Sequence, residues 1–593
     1  MATTAEADRP RAAIRDARAG LRRLGVEPVA GVLAAVVVIG LLAHPLLLGG
    51  TDRGWDYYSH LWYIWHQSES LRANGVPSLF LHDANTTFNP HYAFYGGTLY
   101  AAAGLLAIAF GSVETGYVVS WLLGFAAAYG GWFWLARSAG LGRWWAHVPA
   151  VLFVSSPYYL GLSSSRGAWP ELVAVSMIPL FAASALSVLR ADRLRSLPVL
   201  ALVVSTAFLF GSHNITMLWG TTVLLVLAAV ICLCVPEARR QVTVRGVVRV
   251  AVVLAPAALV DAWFLLPDVA YQSQTYIGGK TEGWQEPLRG YDHFVDADHL
   301  LSLGRATADP GQPNFALQLP VLAIAWAVLA LPVLRPRGAA PWARTLVVLL
   351  AAGAGLVLLM TSAGLLLALP AVYGLVQFSF RLESYVLLAF VGAVLAALVL
   401  AGGTSPRRRL WAWAIVPVLV VSVIQGARQV DLHRTPVHFV PPLTAAAPYS
   451  PKDEGPGVQD YAGYGLPEVT GGHQLTQVRF PPSSAEHGGR ASVVVDAQPG
   501  QLLYANVMTV PELVELHGAR FAAVAADGRH NILEVAPDAT PGAARLTLRA
   551  AAAWPVVFGR VLSVAGLAGL AALAAAMLLA ARRRRRGWAP RPD

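Results

Sequence analysis

The chain has 593 residues, 56% of them hydrophobic and 13% charged, with a formal net charge of +10. Soluble domains carry about 25% charged residues, so this composition excludes an ordinary soluble enzyme and points to a polytopic membrane protein. The basic excess sits in short arginine clusters between apolar runs, as in cytoplasmic loops, and not as a stripe on a soluble domain, which argues against a nucleic-acid partner.

Residues 1–28 are polar and carry Arg9, Arg11, Arg15, Arg18, Arg22 and Arg23, the pattern of an amphipathic segment on the inner membrane surface. The apolar run 30–48 has no small-residue cleavage site after it and reads as a retained helix, since about 20 apolar residues cross a ~30 Å hydrocarbon core. The loop that follows, through Tyr95, is aromatic and punctuated by Asn74-Gly-Val-Pro77, Asn89-Pro90 and Gly96-Gly97, which predicts short interfacial helices. Next come a short apolar run at 98–111, read as a half-span, and spans near 117–136, 146–162, 171–189, 197–211, 214–235 and 248–267. Arg137, Arg143, Arg190 to Arg195 and Arg239 to Arg249 fall between them and belong inside. Cys232 and Cys234 lie in one apolar run on different helix faces, as inert thiols rather than a bridge or metal pair.

Residues 269–314 form a second polar outer loop. Spans follow at 316–334 and 343–361, then a second half-helix at 363–376, then spans at 382–402 and about 410–425. Residues 426–553 change character: after the Pro-rich stretch Pro436 to Pro451, hydrophobic runs shorten to strand length, as in Ala491-Ser-Val-Val-Val-Asp496, which reads as a small extracytoplasmic β-rich domain. A last span at 554–581 ends in Arg582 to Arg586, an inside anchor, with the basic tail 582–593 beyond it. The expected architecture is an all-α polytopic membrane protein of about 12 spans plus two half-helices, with the β-rich domain before the last helix. Both termini are then cytoplasmic. No internal repeat is evident.

Polar residues at membrane depth gather on the outer side. Asp56 and His60, four apart, follow the first span, with Asp52 before them. Arg166 and Glu171 flank an outer turn, His213 and Asn214 occupy another, Arg381 and Glu383 follow the second half-helix, and Asp261 lies late in an outward-going span. Each has a plain alternative: His213 a helix cap, Arg381 and Glu383 a local ion pair, Asp261 a satisfied interior acid, Asp56 a solvated loop residue. Together they describe one rim at the outer leaflet. Planar arginine and histidine there suit an anionic lipid-phosphate headgroup. A carboxylate reachable from water suits proton removal from an acceptor hydroxyl as a sugar is transferred. In the second outer loop Asp292, Asp296, Asp298 and His299 form an oxygen-rich set for Mg²⁺, Mn²⁺ or Ca²⁺ without a recognised spacing, and a solvated acidic loop is the plainer reading. No Gly-rich phosphate loop or nucleotide domain is present, so no nucleotide cofactor is expected.

The first-loop segment Gly54-Trp-Asp56-Tyr-Tyr-Ser-His60-Leu-Trp resembles the GT-C superfamily of membrane glycosyltransferases. More closely, several segments are similar to the bacterial membrane proteins labelled 6-pyruvoyl-tetrahydropterin synthase-related. These are Asn89-Pro90 with Phe94-Tyr95-Gly-Gly, Ser156-Pro157-Tyr, Arg166-Gly-Ala-Trp-Pro-Glu171, Ser212-His213-Asn and Gln377-Phe-Ser-Phe-Arg381. The label carries no pterin chemistry. The resemblance implies a polyprenyl-phosphate-linked sugar donor and an envelope glycan, glycolipid or protein acceptor. The expected site has Asp56 as general base, His60 and Glu171 as site-shaping or metal-assisting groups, and Arg166, His213 and Arg381 as phosphate contacts, with Asp52 and Asp261 as additional candidates. The GT-C pattern often has a second carboxylate nearby, and the residues alone do not assign Asp52 to that place. The expected location is the bacterial cytoplasmic membrane with the site outside. Two rivals are a transporter or flippase of a lipid-linked glycan, which the half-helices suggest, and a non-catalytic assembly protein working through its β domain.

Overall fold

The computed structural model describes residues 26–47, 56–82, 87–164, 167–274, 319–334, 340–376, 378–402, 406–432, 443, 468–469, 475–481, 490–525 and 530–587. Outside them lie Asp52, Arg166, Gln377, the loop residues Asp292, Asp296, Asp298 and His299, and most of the 1–28 and 436–451 segments.

Helix α1 (Val26–Leu47) precedes α2 (Tyr57–Asn74), which stops at Gly75 in the left-handed region, where the Gly75 N–H bonds the Leu71 carbonyl at 3.0 Å. The α2 helix is no span, for it mixes His60, His66, Gln67 and Ser68 with its aromatics and buries them all. A single turn, α3 (His91–Phe94), leads through Gly96 to α4 (Gly97–Phe110). Its 14 residues cover about 21 Å, short of a ~30 Å hydrocarbon core. Then come α5 (Val113–Ser138), α6 (His147–Val154), α7 (Pro157–Ser164), α8 (Trp169–Arg190), α9 (Ser196–Ser212) and α10 (Asn214–Cys234). Both cysteines of α10 are free thiols. After α11 (Pro236–Gln241) follow α12 (Val244–Leu259) and α13 (Ala262–Tyr271).

Further along are α14 (Val321–Leu334), α15 (Ala340–Thr361), the five-residue α16 (Ala363–Leu367) and two 3₁₀ turns, Ala371–Val376 and Ser379–Leu382. Helix α17 (Glu383–Ala401) leads to α18 (Pro406–Trp413) and α19 (Ile415–Leu432), so the helix runs on past 425. The last helix is α20 (Trp554–Gly587). Nearly every residue of α17 is buried, which is why its sequence is apolar all round and shows no stripe. It is the central post of the bundle.

Among the described residues seven helices are long and apolar enough to cross a membrane, and α12 with α13 makes an eighth if the bent pair counts as one. The apolar helices Gly31–Leu42, Gly97–Phe110, Ser196–Ser212 and Val321–Leu334 are shorter. Two runs read as continuous spans are in fact broken. The run 146–162 divides into α6 and α7 at Ser155-Ser156-Pro157, where Pro157 has no N–H to continue the ladder. There Ser155 Oγ meets Ser422 Oγ of α19 at 3.2 Å. The run 248–267 bends by 75° between α12 and α13. The Trp263 N–H freed by that bend donates to Ser563 Oγ of α20 at 2.9 Å, so the neighbouring helix satisfies what the break exposes.

The C-terminal β region holds strands β1 (Glu468–Val469), β2 (Thr476–Val478), β3 (Arg490–Val495), β4 (Leu502–Ala505), β5 (Val514–His517), β6 (Ala519–Ala525), β7 (Asn531–Val535) and β8 (Ala544–Ala550). They form a five-stranded sheet in the order β1-β6-β7-β4-β2 and a three-stranded sheet in the order β3-β8-β5. This region shares its core with the helical part. Leu79, Phe80 and Phe88 of the first loop and Phe264 and Tyr271 of α13 pack in one cluster with Phe480, Leu503, Val507, Leu546 and Leu548. Thr87 bridges to Val507 in parallel register, its N–H donating to the Asn506 carbonyl at 2.8 Å and its carbonyl accepting from Met508 at 3.3 Å. The β region is therefore docked on the first loop by backbone and by core.

Candidate active site at the α2–α4–α8 junction

Asp56 is the flanking residue before α2: its carbonyl accepts the His60 N–H at 3.0 Å, while its side chain makes no capping bond and is exposed. His60, one turn on, is buried. Its Nδ1 shares a hydrogen bond of 2.8 Å with the Tyr100 hydroxyl of α4, and its ring lies edge-on to Trp169 of α8 at 5.7 Å. Burial pushes the His60 imidazole down to about 4, against the opposing pull of Asp56 and of a hydrogen bond with the Gly167 backbone. At neutral pH His60 is thus an uncharged hydrogen-bonding group and supplies no charge to an anion.

Two residues past Trp169, Glu171 sits in the first turn of α8 and is buried. One of its oxygens accepts from the Tyr158 hydroxyl at 3.0 Å, and the other faces Arg381 Nε at 3.4 Å. Arg381 also donates to the Val376 carbonyl at 3.2 Å and lies 5.3 Å from the centre of the Phe378 ring. Arg381 is therefore tied to Glu171 from across the fold, in place of the local pair with Glu383 that sequence proximity suggests.

From Glu171 and Arg381 the packing continues through Tyr385, whose hydroxyl donates to the Thr216 carbonyl at 3.5 Å. Thr216 pairs with His213: Nδ1 of His213 accepts the Thr216 N–H at 3.2 Å and lies 2.8 Å from Thr216 Oγ1. His213 is thus a buried N-cap of α10 through its Nδ1. Its ring meets Tyr95 edge-on at 5.7 Å, and Tyr95 lies 6.3 Å from Tyr100. Asp261, at the α12–α13 bend, accepts from Thr98 Oγ1 at 2.6 Å.

The N-terminal end of α4 is the hub of these contacts. Gly96 has φ +61 and its hypothetical Cβ would lie 2.9 Å from the Ser212 carbonyl, so both its conformation and the close approach require glycine. Tyr100, Tyr95 and Thr98 link this short helix and the turn before it to His60, His213 and Asp261, while Glu171 and Arg381 pair with each other. Tyr100, Tyr158, Trp169 and Thr98 were not singled out from the sequence. Trp169 and Tyr158 lie inside quoted motifs, while Tyr100 and Thr98 are ordinary aromatic and hydroxyl residues in an apolar run. Among the described residues no group of three or more His, Cys, Asp or Glu is placed to hold a metal ion.

Residues 92–300 match the model of the family described as 6-pyruvoyl-tetrahydropterin synthase related domain, membrane protein. No curated protein matches the chain. Two solved structures are similar at low identity. One is ArnT from Cupriavidus metallidurans bound to undecaprenyl phosphate, 14% identical, with a TM-score of 0.38 over 69% of this chain and 76% of that one. The other is the archaeal oligosaccharyltransferase AglB from Archaeoglobus fulgidus in complex with an inhibitory peptide and a dolichol-phosphate, 13% identical, with a TM-score of 0.38. That match covers 74% of this chain and 63% of AglB. The stretch that matches the family model contains the 92–97 turn, the break at Ser156-Pro157, Glu171 and His213.

Proposed function

We propose that this protein is a GT-C-type membrane glycosyltransferase. It takes a sugar from a polyprenyl-phosphate donor and passes it, with inversion, to an envelope glycan, glycolipid or protein on the outer face of the cytoplasmic membrane. The observation that carries this reading is an exposed carboxylate, Asp56, one helical turn from the buried series His60–Trp169–Glu171–Arg381. A proton acceptor open to water and a guanidinium held in the protein are the two groups the reaction requires.

In the proposed step the acceptor hydroxyl oxygen attacks the anomeric carbon and its proton passes to the Asp56 carboxylate. The bond from that carbon to the carrier phosphate breaks, and its electron pair leaves on the phosphate. Arg381 offers the guanidinium that stabilises the departing anion, and Glu171 holds that guanidinium in place until it does so. Arg166 is the second proposed phosphate contact. His60, being neutral, orients the start of α2 through Tyr100. His213 supports the arrangement as a cap.

The test uses purified protein in lipid, a panel of radiolabelled polyprenyl-phosphate sugars and crude envelope acceptor. Label is expected to move to acceptor with wild type and to fall about 10²- to 10⁴-fold in Asp56→Asn. Transfer at the wild-type level in a folded Asp56→Asn protein would sink the reading. Carrier binding without transfer, unchanged by the substitution, would instead indicate a flippase or scaffold.

A further inference from the structure

The two faces of the three-stranded sheet β3-β8-β5 differ in character. Ala491, Leu546, Leu548 and Val514 point into the core shared with the helical part. Alternation along each strand puts their neighbours on the opposite face. There the register forms one row of Arg490, Arg549 and Glu515 and a next row that begins with Ser492 and Thr547, with Arg545 beyond. All three arginines are exposed. Glu515 accepts from Arg549 Nε at 2.5 Å and faces His517 Nε2 at 3.9 Å, so its charge is taken up.

Among the described residues Arg490 and Arg545 have no acid partner. The other sheet is balanced differently, for its Arg520 gives two bonds to Glu534 Oε2, at 2.9 and 2.7 Å. Arg490 and Arg549 stand directly opposite each other across the ladder, a like-charge placement that costs stability unless an anion lies between them. The chain also fixes where this row sits. Strand β8 ends at Ala550 and α20 begins at Trp554, so Arg549 is within about 17 Å of Trp554. Trp554 is an exposed aromatic at the head of a helix long and apolar enough to cross a membrane, where tryptophan marks the interfacial layer.

We propose that this face docks on anionic phospholipid headgroups at the membrane surface where α20 enters. The planar guanidinium groups of Arg490, Arg545 and Arg549 match phosphate oxygens, which they bond in pairs. The hydroxyls of Ser492 and Thr547, 2.9 Å apart, lie among them as further polar groups. None of the three strands carries Trp, Tyr or Phe, so the face offers a neutral sugar no ring to stack on and recognises its partner by charge. The dock stands apart from the transfer chemistry and does not depend on it.

The experiment follows backbone hydrogen exchange of the full-length protein in nanodiscs of phosphatidylcholine alone or with about a third phosphatidylglycerol. With phosphatidylglycerol, exchange over 490–495 and 544–550 is expected to slow about threefold or more, and the effect to vanish at ~1 M salt, where the Debye length is about 3 Å. Strands β6 and β7 of the other sheet are the internal control and are expected to exchange alike in both lipids. Arg490→Gln/Arg545→Gln, which alters two exposed side chains, is expected to lose the phosphatidylglycerol effect while β6 and β7 keep their exchange, the sign that it folds. Equal exchange of the wild type in the two lipids would overturn the dock, as would a phosphatidylglycerol effect undiminished in the double variant. Slowing by added soluble polyphosphate but not by phosphatidylglycerol would overturn it in favour of a soluble anionic polymer. Should the double variant fail to fold, the wild-type comparison decides alone.

Discussion

Arg381 Nε lies 3.4 Å from Glu171 Oε2, with both side chains less than a tenth exposed. The two residues are remote in sequence, and the pair joins the entry to α8 with the entry to the central helix α17. Removing one partner of a buried pair leaves an uncompensated charge, at a cost of about 3–5 kcal/mol. Glu171→Gln and Arg381→Met are each expected to lower the melting temperature markedly, and the double variant to lose less than the two single losses combined. Thermal unfolding of the three proteins in detergent checks this. Additive losses would mean that the two side chains do not stabilise each other.

Stability should depend on pH through the first loop. Burial holds His60 near 4 and His66 and His91 near 3, and pushes His82 well below its ordinary 6.5. Above pH 6.5 these histidines are neutral whether the chain is folded or not and impose no penalty. Below it the unfolded chain binds protons that the folded one refuses, so stability falls as the pH drops from about 6.5 toward 4, by about 1.4 kcal/mol per unit for each histidine. Denaturant unfolding between pH 7.5 and 4.5 measures the slope, and His66→Phe should reduce it. A slope unchanged in that variant would show that His66 titrates normally.

The Thr87 N–H is one of two backbone bonds at Thr87 that link the first loop to the β region. Thr87→Pro deletes that donor and the strand-like register with Val507. Faster hydrogen exchange is expected around residues 79–94 and 506–510, with the membrane helices unaffected. Exchange identical to wild type would mean that the shared apolar core alone holds the β region in place.

At the α12–α13 bend Ser563 Oγ is the acceptor for the Trp263 N–H. Ser563→Ala leaves that buried donor unsatisfied and should cost about 1–3 kcal/mol. Ser563→Thr, which keeps the hydroxyl, should lose less. Unfolding midpoints of the two variants report the difference, and equal midpoints would show that packing at this position, rather than the hydroxyl, matters.

The membrane character, the last helix and the strand-bearing region were legible because they rest on composition and period. Long apolar runs can only be helices in lipid, and short alternating runs between Pro and Gly can only be strands or loops. The short length of α4 was legible too, since 98–111 holds too few residues for a span. The helix breaks were not. Pro157 is visible, but whether a proline kinks a helix or ends it depends on which neighbours satisfy the freed groups. Here those neighbours are Ser422 on α19, facing Ser155, and, at the other break, Ser563 on α20.

The candidate site divides the same way. The sequence by itself determined which residues stand out as candidates: Asp56 at the end of the first hydrophobic stretch, and Glu171, His213, Asp261 and Arg381 as rare polar groups in apolar surroundings, where each is expensive and needs a partner. Only the tertiary structure decided the partners. It bound Arg381 to Glu171, turned His213 into a cap, left Asp56 exposed above a neutral His60, and set Asp261 beside Thr98 with one oxygen unmet. The physical reason is range. Apolar periodicity is local and shows along the chain, whereas hydrogen bonds and ion pairs are fixed at distances of a few ångströms between segments hundreds of residues apart.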